Sequence, residues 1–452
     1  MTKYFGTDGF RGEAGENLTV EHAFRIGRFL GYNLGNKQAK ADTCRVVIGK
    51  DTRRSSYMFE CALAAGLTSS GADAHLLHVT TTPCVSYITR TENFDCGIMI
   101  SASHNAYYDN GIKLFNAEGE KMDDAFLEEM ERYLDGEVGE IPYAKREHIG
   151  RTMDYVEGRN RYIGYLISLA VRSFKGKRIG LDCANGSTWR IGKSVFDALG
   201  AETYVIGNRP DGTNINAGVG STHINYLQEF VLEHKLDVGF AFDGDGDRCL
   251  AVDEKGQIVN GDHILYLYAR YMKERGRLED NTIVATVMSN LGLFRALDEL
   301  KVHCEVTAVG DRYVYENMRD GGHLLGGEQS GHIIFAKYGA TGDGVLTAIK
   351  VMQAMLSSGD PLSELAAPMR VYPQVLKNVT VKDKERIMQN SGVQVAVREV
   401  EQRLGDNGRV LLRPSGTEPL LRVMVEAGTQ EDCATCAEHV VAAINQVINS
   451  GK

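Results

Sequence analysis

The segment Asp243-Gly-Asp-Gly-Asp-Arg248 places carboxylates at i, i+2 and i+4 with glycines between them. Such a loop can fold around one hard cation, because glycine lets the backbone turn tightly and each carboxylate offers an oxygen. A chance acidic turn is the alternative, but three carboxylates so close repel one another unless a cation compensates. Three protein ligands leave room for a phosphate oxygen, and Mg²⁺ is the natural cation for that arrangement. A calcium EF-hand is excluded. Glu254 does occupy the twelfth loop position, but Arg248 stands where the turn glycine is required, and strand patterns rather than helices flank the loop.

Three further loops carry reactive side chains. In Ile100-Ser-Ala-Ser-His-Asn-Ala-Tyr-Tyr-Asp-Asn-Gly-Ile-Lys113, two serines and a histidine follow an apolar strand pattern. They could merely cap the next helix. A serine hydrolase is disfavoured, since no G-x-S-x-G elbow occurs. His104 is a poor base for Ser103 if the backbone there is extended, because neighbouring side chains then point to opposite sides. Gly326-Gly-Glu-Gln-Ser-Gly-His332 offers Glu328 as acceptor and Ser330 as donor for sugar hydroxyls or an amine; a plain turn between two strands is equally open. Arg413-Pro-Ser-Gly-Thr-Glu-Pro-Leu-Leu-Arg422 supplies two guanidiniums, hydroxyls at Ser415 and Thr417 and the Gly416 amide, a plausible phosphate clamp. Arg11, in Thr7-Asp-Gly-Phe-Arg11, could steady a phosphoryl group. Cys433-Ala-Thr-Cys436 has redox spacing but lies within a helical pattern and reads as structural. No P-loop spelling is present.

These loops need a frame. Short apolar runs at 45–51, 74–79, 96–101, 178–182, 202–206, 237–242, 282–287 and 303–307 alternate with helix-period stretches at 19–35, 55–70, 188–199, 262–275 and 342–357. That alternation is the pattern of βαβ units around mainly parallel, doubly covered sheets. From about residue 370 it changes: strand patterns at 375–381, 409–413 and 420–426 bracket a helix near 383–404, and a last helix opens at Thr429. The expected architecture is three α/β domains with mixed or parallel sheets, at 1–148, 149–253 and 254–367, plus a smaller α+β domain at 368–452. The polar clusters fall at strand carboxyl ends, where α/β sheets collect ligands.

Composition narrows the class. The chain has 452 residues with 50 Gly and only 8 Pro, a usage suited to many tight turns. A net charge of −10 argues against a nucleic-acid partner. No apolar run is long enough for a bilayer, so no membrane partner is expected. The opening Met1-Thr-Lys-Tyr-Phe-Gly-Thr-Asp-Gly9 has no export leader, and nine Cys show no paired framework, so a cytoplasmic location is expected.

Together the four loops describe phosphoryl transfer between a sugar and the protein itself. Over essentially its whole length the sequence resembles the α-D-phosphohexomutase superfamily, whose four motifs occur here in order. The resemblance implies three related α/β domains plus a smaller C-terminal one around a central cleft. It implies that Ser103 is the phosphorylated serine and a metal ligand, and that Asp243, Asp245 and Asp247 hold Mg²⁺, with Arg248 beside the reacting phosphoryl group. Glu328 and Ser330 would bind the sugar, with His332 next to them. Arg413, Ser415, Gly416, Thr417 and Arg422 would bind the substrate's phosphate. Arg11, His104 and Lys113 join the catalytic set, and Lys113 and His332 are candidates for proton transfer.

The spelling Gly-Glu-Gln-Ser-Gly-His and the opening Phe5-Gly-Thr-Asp-Gly9 are most similar to the superfamily's bacterial branch that acts on glucosamine phosphate. The expected reaction interconverts glucosamine 6-phosphate and glucosamine 1-phosphate, feeding UDP-N-acetylglucosamine synthesis. Glucosamine 1,6-bisphosphate or glucose 1,6-bisphosphate would serve as activator. A homodimer is left open. A neutral hexose phosphate as substrate, or a non-catalytic sugar-phosphate binder, are the alternatives; retention of Ser103 with three metal aspartates counts against the second. Ala106 stands where the superfamily usually has Pro, which would loosen the serine loop slightly.

Overall fold

The apolar runs form strands and the amphipathic stretches form helices in a computed structural model that describes residues 3–37, 43–415 and 419–450. The chain divides into two units, one of Met1–Met288 with Lys301–Ala367, the other of Ser289–Leu300 with Pro368–Lys452.

The first unit opens with β1 (Phe5–Gly6), β2 (Gly9–Glu13), α1 (Val20–Lys37), β3 (Arg45–Lys50), α2 (Arg54–Ser69), β4 (Asp73–Val79) and α3 (Thr82–Thr91). β5 (Cys96–Ile100), β6 (Asp109–Phe115), α4 (Asp124–Leu134) and β7 (Thr152–Asp154) complete a seven-stranded sheet of order β1-β2-β6-β5-β3-β4-β7. Then come α5 (Val156–Ser168), β8 (Arg178–Asp182), α6 (Thr188–Ala198), β9 (Glu202–Ile206), α7 (Asn225–His234), β10 (Val238–Phe242), β11 (Cys249–Asp253) and β12 (Ile258–Val259). Their five strands run in the order β12-β11-β10-β8-β9. The turn Asp253–Gly256 is therefore a hairpin inside this sheet, and the chain leaves the sheet only after Val259.

The chain goes on with α8 (Gly261–Lys273), β13 (Thr282–Thr286), α9 (Leu291–Glu299), β14 (His303–Thr307), α10 (Asp311–Gly321), β15 (Leu325–Gly327), β16 (Ile333–Phe335), α11 (Gly344–Ser358) and α12 (Leu362–Ala366). The third sheet has the order β14-β13-β15-β16. Helix α11 is buried on every side from Gly344 to Met355, as an apolar all-round helix must be. Its start is fixed by Asp343, whose carboxylate accepts the Leu346 N–H at 2.9 Å.

The strands within each of these sheets are not all parallel. β3, β4, β5 and β7 are parallel, but β5 pairs with β6, β10 with β11 and β15 with β16 antiparallel. The reason is local. The serine, aspartate and sugar loops each join two neighbouring strands directly, and a short connection without a crossover helix can only reverse direction. Each loop is thus a hairpin end rather than a strand-to-helix turn.

The second unit holds α9 and β17 (Gln374–Thr380), α13 (Lys384–Met388), α14 (Ser391–Leu404), β18 (Arg409–Pro414), β19 (Leu420–Glu426) and α15 (Gln430–Ser450). Its sheet is antiparallel, of order β17-β19-β18, and Val423, Val425, Val400, Val440 and Ile444 belong to its core. The one helix expected near 383–404 is two, because the Asn390 side chain accepts the Gly392 N–H at 2.9 Å and starts a new helix. Cys433 and Cys436 are free and buried in α15. No helix among the described residues is long and apolar enough to cross a membrane.

Candidate active site

The loop between β5 and β6 carries Ser103, which is 1% exposed and has φ +52. That left-handed backbone costs a non-glycine residue about 1 kcal/mol, so the surroundings must hold it. They do. The Ser103 carbonyl accepts hydrogen bonds from Arg53 Nη2 at 2.9 Å and Asn216 Nδ2 at 3.0 Å, and its N–H donates to Ser101 Oγ at 2.9 Å. Arg53 is fully buried and paired with Asp51 at 2.7 Å, and Asp51 in turn accepts from Ser101 Oγ and Ser56 Oγ at 2.7 Å each. The turn also brings His104 Nδ1 to 3.3 Å from Ser103 Oγ. The expectation that these neighbours point apart assumed extended backbone, and the left-handed residue overturns it.

Opposite lies the loop between β10 and β11. Ser103 Oγ donates to Asp243 Oδ2 at 2.5 Å. Gly244 lets the two loops meet: a Cβ there would stand 2.5 Å from the Ser103 carbonyl oxygen. One oxygen from each of Asp243, Asp245 and Asp247 lies within 4.8 Å of the others, all three residues buried. Asp245 Oδ2 accepts from Thr82 Oγ1 at 2.5 Å and Lys113 Nζ at 2.8 Å, whereas Asp245 Oδ1 and Asp247 Oδ1 are buried without a hydrogen-bond partner. Converging buried carboxylate oxygens left unpaired fit a divalent hard cation.

Electrostatics say the same. Burial, together with Asp247 and Asp245, pushes the Asp243 carboxyl well above the usual carboxylate range. Burial pushes Asp247 the same way, but Lys113 and His332 outweigh it and hold that carboxyl well below the range. Lys113 is buried yet keeps its charge, because Asp245, Asp247 and Asp8 outweigh the desolvation. Its Nζ lies 2.8, 3.2 and 3.3 Å from those carboxylates. Arg248 N donates to Asp243 Oδ1 at 3.2 Å, and Arg11 pairs with Asp8. Burial holds the His104 imidazole down to about 4, with Arg248 and Arg11 adding to the effect.

The third hairpin, between β15 and β16, joins the same neighbourhood through Cys249 N, which donates to the Gly331 carbonyl at 2.9 Å. Glu328 Oε1 accepts the Gly310 N–H at 3.0 Å, and Ser330 Oγ is buried without a partner. His332 Nε2 lies 2.9 Å from Gly342 N and Nδ1 3.7 Å from Asp247 Oδ1; burial disfavours the charged ring, but Asp247 and Asp311 outweigh it and raise the imidazole's pKa to about 9. Neither expected proton carrier offers a free base in this conformation: Lys113 is locked among carboxylates and His332 is held protonated by Asp247 and Asp311. Lys121 Nζ links the sugar side to the start of the chain, 2.7 Å from Asp311 and 3.2 Å from Asp8.

In the second unit, Arg413 and Arg422 stand directly opposite on β18 and β19. Burial and Arg422 both lower the Arg413 pKa. Ser415 N donates to Leu420 O at 2.9 Å, and Lys384 Nζ to Ser415 O at 2.7 Å. Two facing guanidiniums with a partly buried lysine link make a strand-end suited to an anion. Gly416 and Thr417 lie outside the described residues.

Asp8, Asp51, Arg53, Thr82, Lys121, Asn216 and Asp311 were not anticipated. Lys50-Asp-Thr-Arg53 at the end of β3 and Asp8 beside Arg11 obey the same strand-end rule that found the other loops; Asn216 and Lys121 have no local signature.

Known proteins match the chain along its whole length. Residues 2–138, 155–256, 260–372 and 376–443 match in turn the alpha/beta/alpha domains I, II and III and the C-terminal domain of the phosphoglucomutase/phosphomannomutase family. The chain is 62% identical over 444 residues to a phosphoglucosamine mutase of Lachnospira eligens, covering 98% of each, and 51% identical to that of Oceanobacillus iheyensis, covering 99% of each. Among solved structures it is similar in fold to a phosphoglucomutase/phosphomannomutase family protein of Burkholderia thailandensis, with TM-score 0.82, 23% identity and 99% and 98% of the two chains covered. It is also similar to the N-acetylphosphoglucosamine mutase of Aspergillus fumigatus solved with GlcNAc-6P and magnesium, with TM-score 0.71, 17% identity and coverage of 98% and 96%. A chain that carries all four domains of one family, and shares most of its residues with enzymes of one branch, belongs to the phosphoglucomutase/phosphomannomutase family and, within it, to the phosphoglucosamine mutases.

Proposed function

We propose that the protein interconverts glucosamine 6-phosphate and glucosamine 1-phosphate with Ser103 as phosphoryl carrier. The observation that carries this is the 2.5 Å approach of Ser103 Oγ to the buried three-aspartate cluster. In the first half-reaction the sugar's free hydroxyl oxygen forms a bond to the phosphorus of phospho-Ser103. The Oγ–P bond breaks, and the hydroxyl's proton ends on Oγ. His104, 3.3 Å from that oxygen and neutral, is placed to relay the proton. In the second half-reaction Ser103 Oγ takes the other phosphoryl group of the resulting 1,6-bisphosphate, and the released sugar oxygen regains a proton, so the cycle is balanced.

The residues divide the work. Asp243, Asp245 and Asp247 would hold Mg²⁺, with Ser103 Oγ as a further ligand; that ion, when bound, neutralises charge on the transferring phosphoryl oxygens. Arg248 and Arg11 would face the same oxygens, and Lys113 balances the aspartates. Glu328 and Ser330 would grip the sugar, and Arg413, Ser415, Gly416, Thr417 and Arg422 the distal phosphate. His332 positions Asp247. Glucosamine 1,6-bisphosphate or glucose 1,6-bisphosphate would recharge enzyme that has lost its phosphate. We place the enzyme in the cytoplasm, and a homodimer is its proposed assembly.

Turnover of glucosamine 6-phosphate, mannose 1-phosphate and glucose 1-phosphate on one sample tests the substrate. The amino sugar should give the highest kcat/KM, as the names of the 62% and 51% identical relatives suggest; equal or faster turnover of the neutral sugars would overturn the assignment.

A further inference from the structure

A cleft of about 590 Å³ lies apart from the groups assigned above. One wall is the turn from β3 into α2, with Arg54 and Tyr57; the other is Trp189 on α6 and the loop 208–212, with Arg209. The walls are joined by two hydrogen bonds, from Thr52 Oγ1 to Asn185 O at 2.6 Å and from Arg54 N to Gly212 O at 3.0 Å. Arg54 and Arg209 form no ion pair and no side-chain hydrogen bond among the described residues. Arg190 stacks over the Trp189 ring at 4.3 Å. Helices α2 and α6 both begin at the cleft, and neither has an acidic residue in its first turn. Their N-termini therefore add positive partial charge. Asp211 is the only carboxylate in the lining. On a chain of net charge −10, the two guanidiniums of the lining, with Arg190 outside it beside Trp189, and two helix N-termini stand against one lining carboxylate and form a local positive site.

We propose that this cleft binds a nucleotide, with its base against Tyr57 and Trp189 and its phosphates between Arg54 and Arg209. Aromatic walls accept the π-face of a base, guanidiniums pair with phosphate oxygens, and the volume falls in the range of small-ligand sites. The position bears on the active site. Arg53, between Thr52 and Arg54, and Asn216, just beyond the 208–212 loop, both hold the Ser103 carbonyl. A ligand that draws the walls together acts on the backbone that presents the serine.

Trp189 is the only tryptophan of the chain, so its fluorescence reports the cleft alone. The full chain is titrated with ADP, and separately with adenosine and with pyrophosphate, while saturating glucose 1,6-bisphosphate occupies the active site. ADP should give a saturable change with half-saturation below about 1 mM. Adenosine and pyrophosphate should each bind at least about tenfold more weakly. Arg209→Ala should weaken ADP by about tenfold or more while leaving mutase turnover and Tm unchanged. No saturable change, displacement by the bisphosphate, or equal binding by Arg209→Ala overturns the proposal. Pyrophosphate binding as tightly as ADP would also overturn it, because the cleft would then be an anion site without base recognition.

Discussion

Ser103 Oγ donates a hydrogen bond to Asp243 Oδ2 at 2.5 Å, joining two hairpin loops 140 residues apart in sequence. A seryl oxygen beside a carboxylate cluster can carry a phosphoryl group only if it is the atom that turns over. Ser103→Ala should therefore lower mutase turnover by about 10³-fold or more. The fold should survive, because the backbone bonds from Arg53 and Asn216 go to the carbonyl and not to the side chain. Turnover together with phosphopeptide mapping checks this; a variant that still cycles and still carries phosphate elsewhere would remove Ser103 from the mechanism.

The unpaired Oδ1 atoms of Asp245 and Asp247 predict how the protein responds to magnesium. Chelation should stop turnover, and added Mg²⁺ should restore it. At a concentration of about 100 Kd the ion should stabilise the fold by about 2.7 kcal/mol. In Asp245→Asn that stabilisation should shrink or vanish, since one ligand charge is gone. Thermal melts of both proteins with and without Mg²⁺ decide it: the same Tm rise in each would place the ion elsewhere.

Gly244 predicts a steric effect. A Cβ at this position would stand 2.5 Å from the Ser103 carbonyl oxygen and 2.8 Å from Ile215 Cδ1, so Gly244→Ala must push the serine loop and the aspartate loop apart. The cost in stability should be about 1–3 kcal/mol. Displacing the nucleophile from its partners should lower kcat by about 10²-fold. Wild-type kcat in the folded variant would mean that the loops do not need this approach.

What could be read in advance divides along physical lines. The strands at 178–182, 202–206, 303–307 and 420–426 coincide with their apolar runs, because a strand is specified locally by its own side chains, even at the half-exposed sheet edges formed by 202–206 and 303–307. The four loops could be recognised as well, since a motif such as Asp243–Arg248 keeps its chemistry in a local spelling. What escaped depends on distant pairing. Arg53 reads as a solvated turn residue until Ser103, Asn105, Ala106 and Asp109 supply its acceptors. Asn216 and Lys121 work across loops that no spacing connects. The reversal of β6, β11 and β16 follows from hairpin closure, which the apolar pattern of the strands does not encode. The backbone at Ser103 is the sharpest case: its left-handed turn, set by bonds from Arg53 and Asn216, brings His104 alongside the serine.

His263 offers a pH test away from the phosphoryl-transfer residues. It stands in the first turn of α8, where its N–H donates to Asn260 Oδ1 at 3.2 Å and its Nδ1 lies 2.7 Å from the same oxygen and 3.3 Å from Asn260 N. Burial holds its imidazole down to about 4, against 6.5 when exposed. Between these values the unfolded chain binds a proton that the folded chain refuses, so ν_U exceeds ν_N and stability falls as pH falls. The contribution is fully present above 6.5 and lost on the way to 4. At roughly 1.4 kcal/mol per pH unit it amounts to about 3 kcal/mol. His263→Gln keeps the capping-box spelling but does not titrate. Thermal midpoints from pH 7 to pH 4 should therefore fall less steeply for His263→Gln than for the wild type. Parallel slopes would show that the imidazole reaches water in the folded protein.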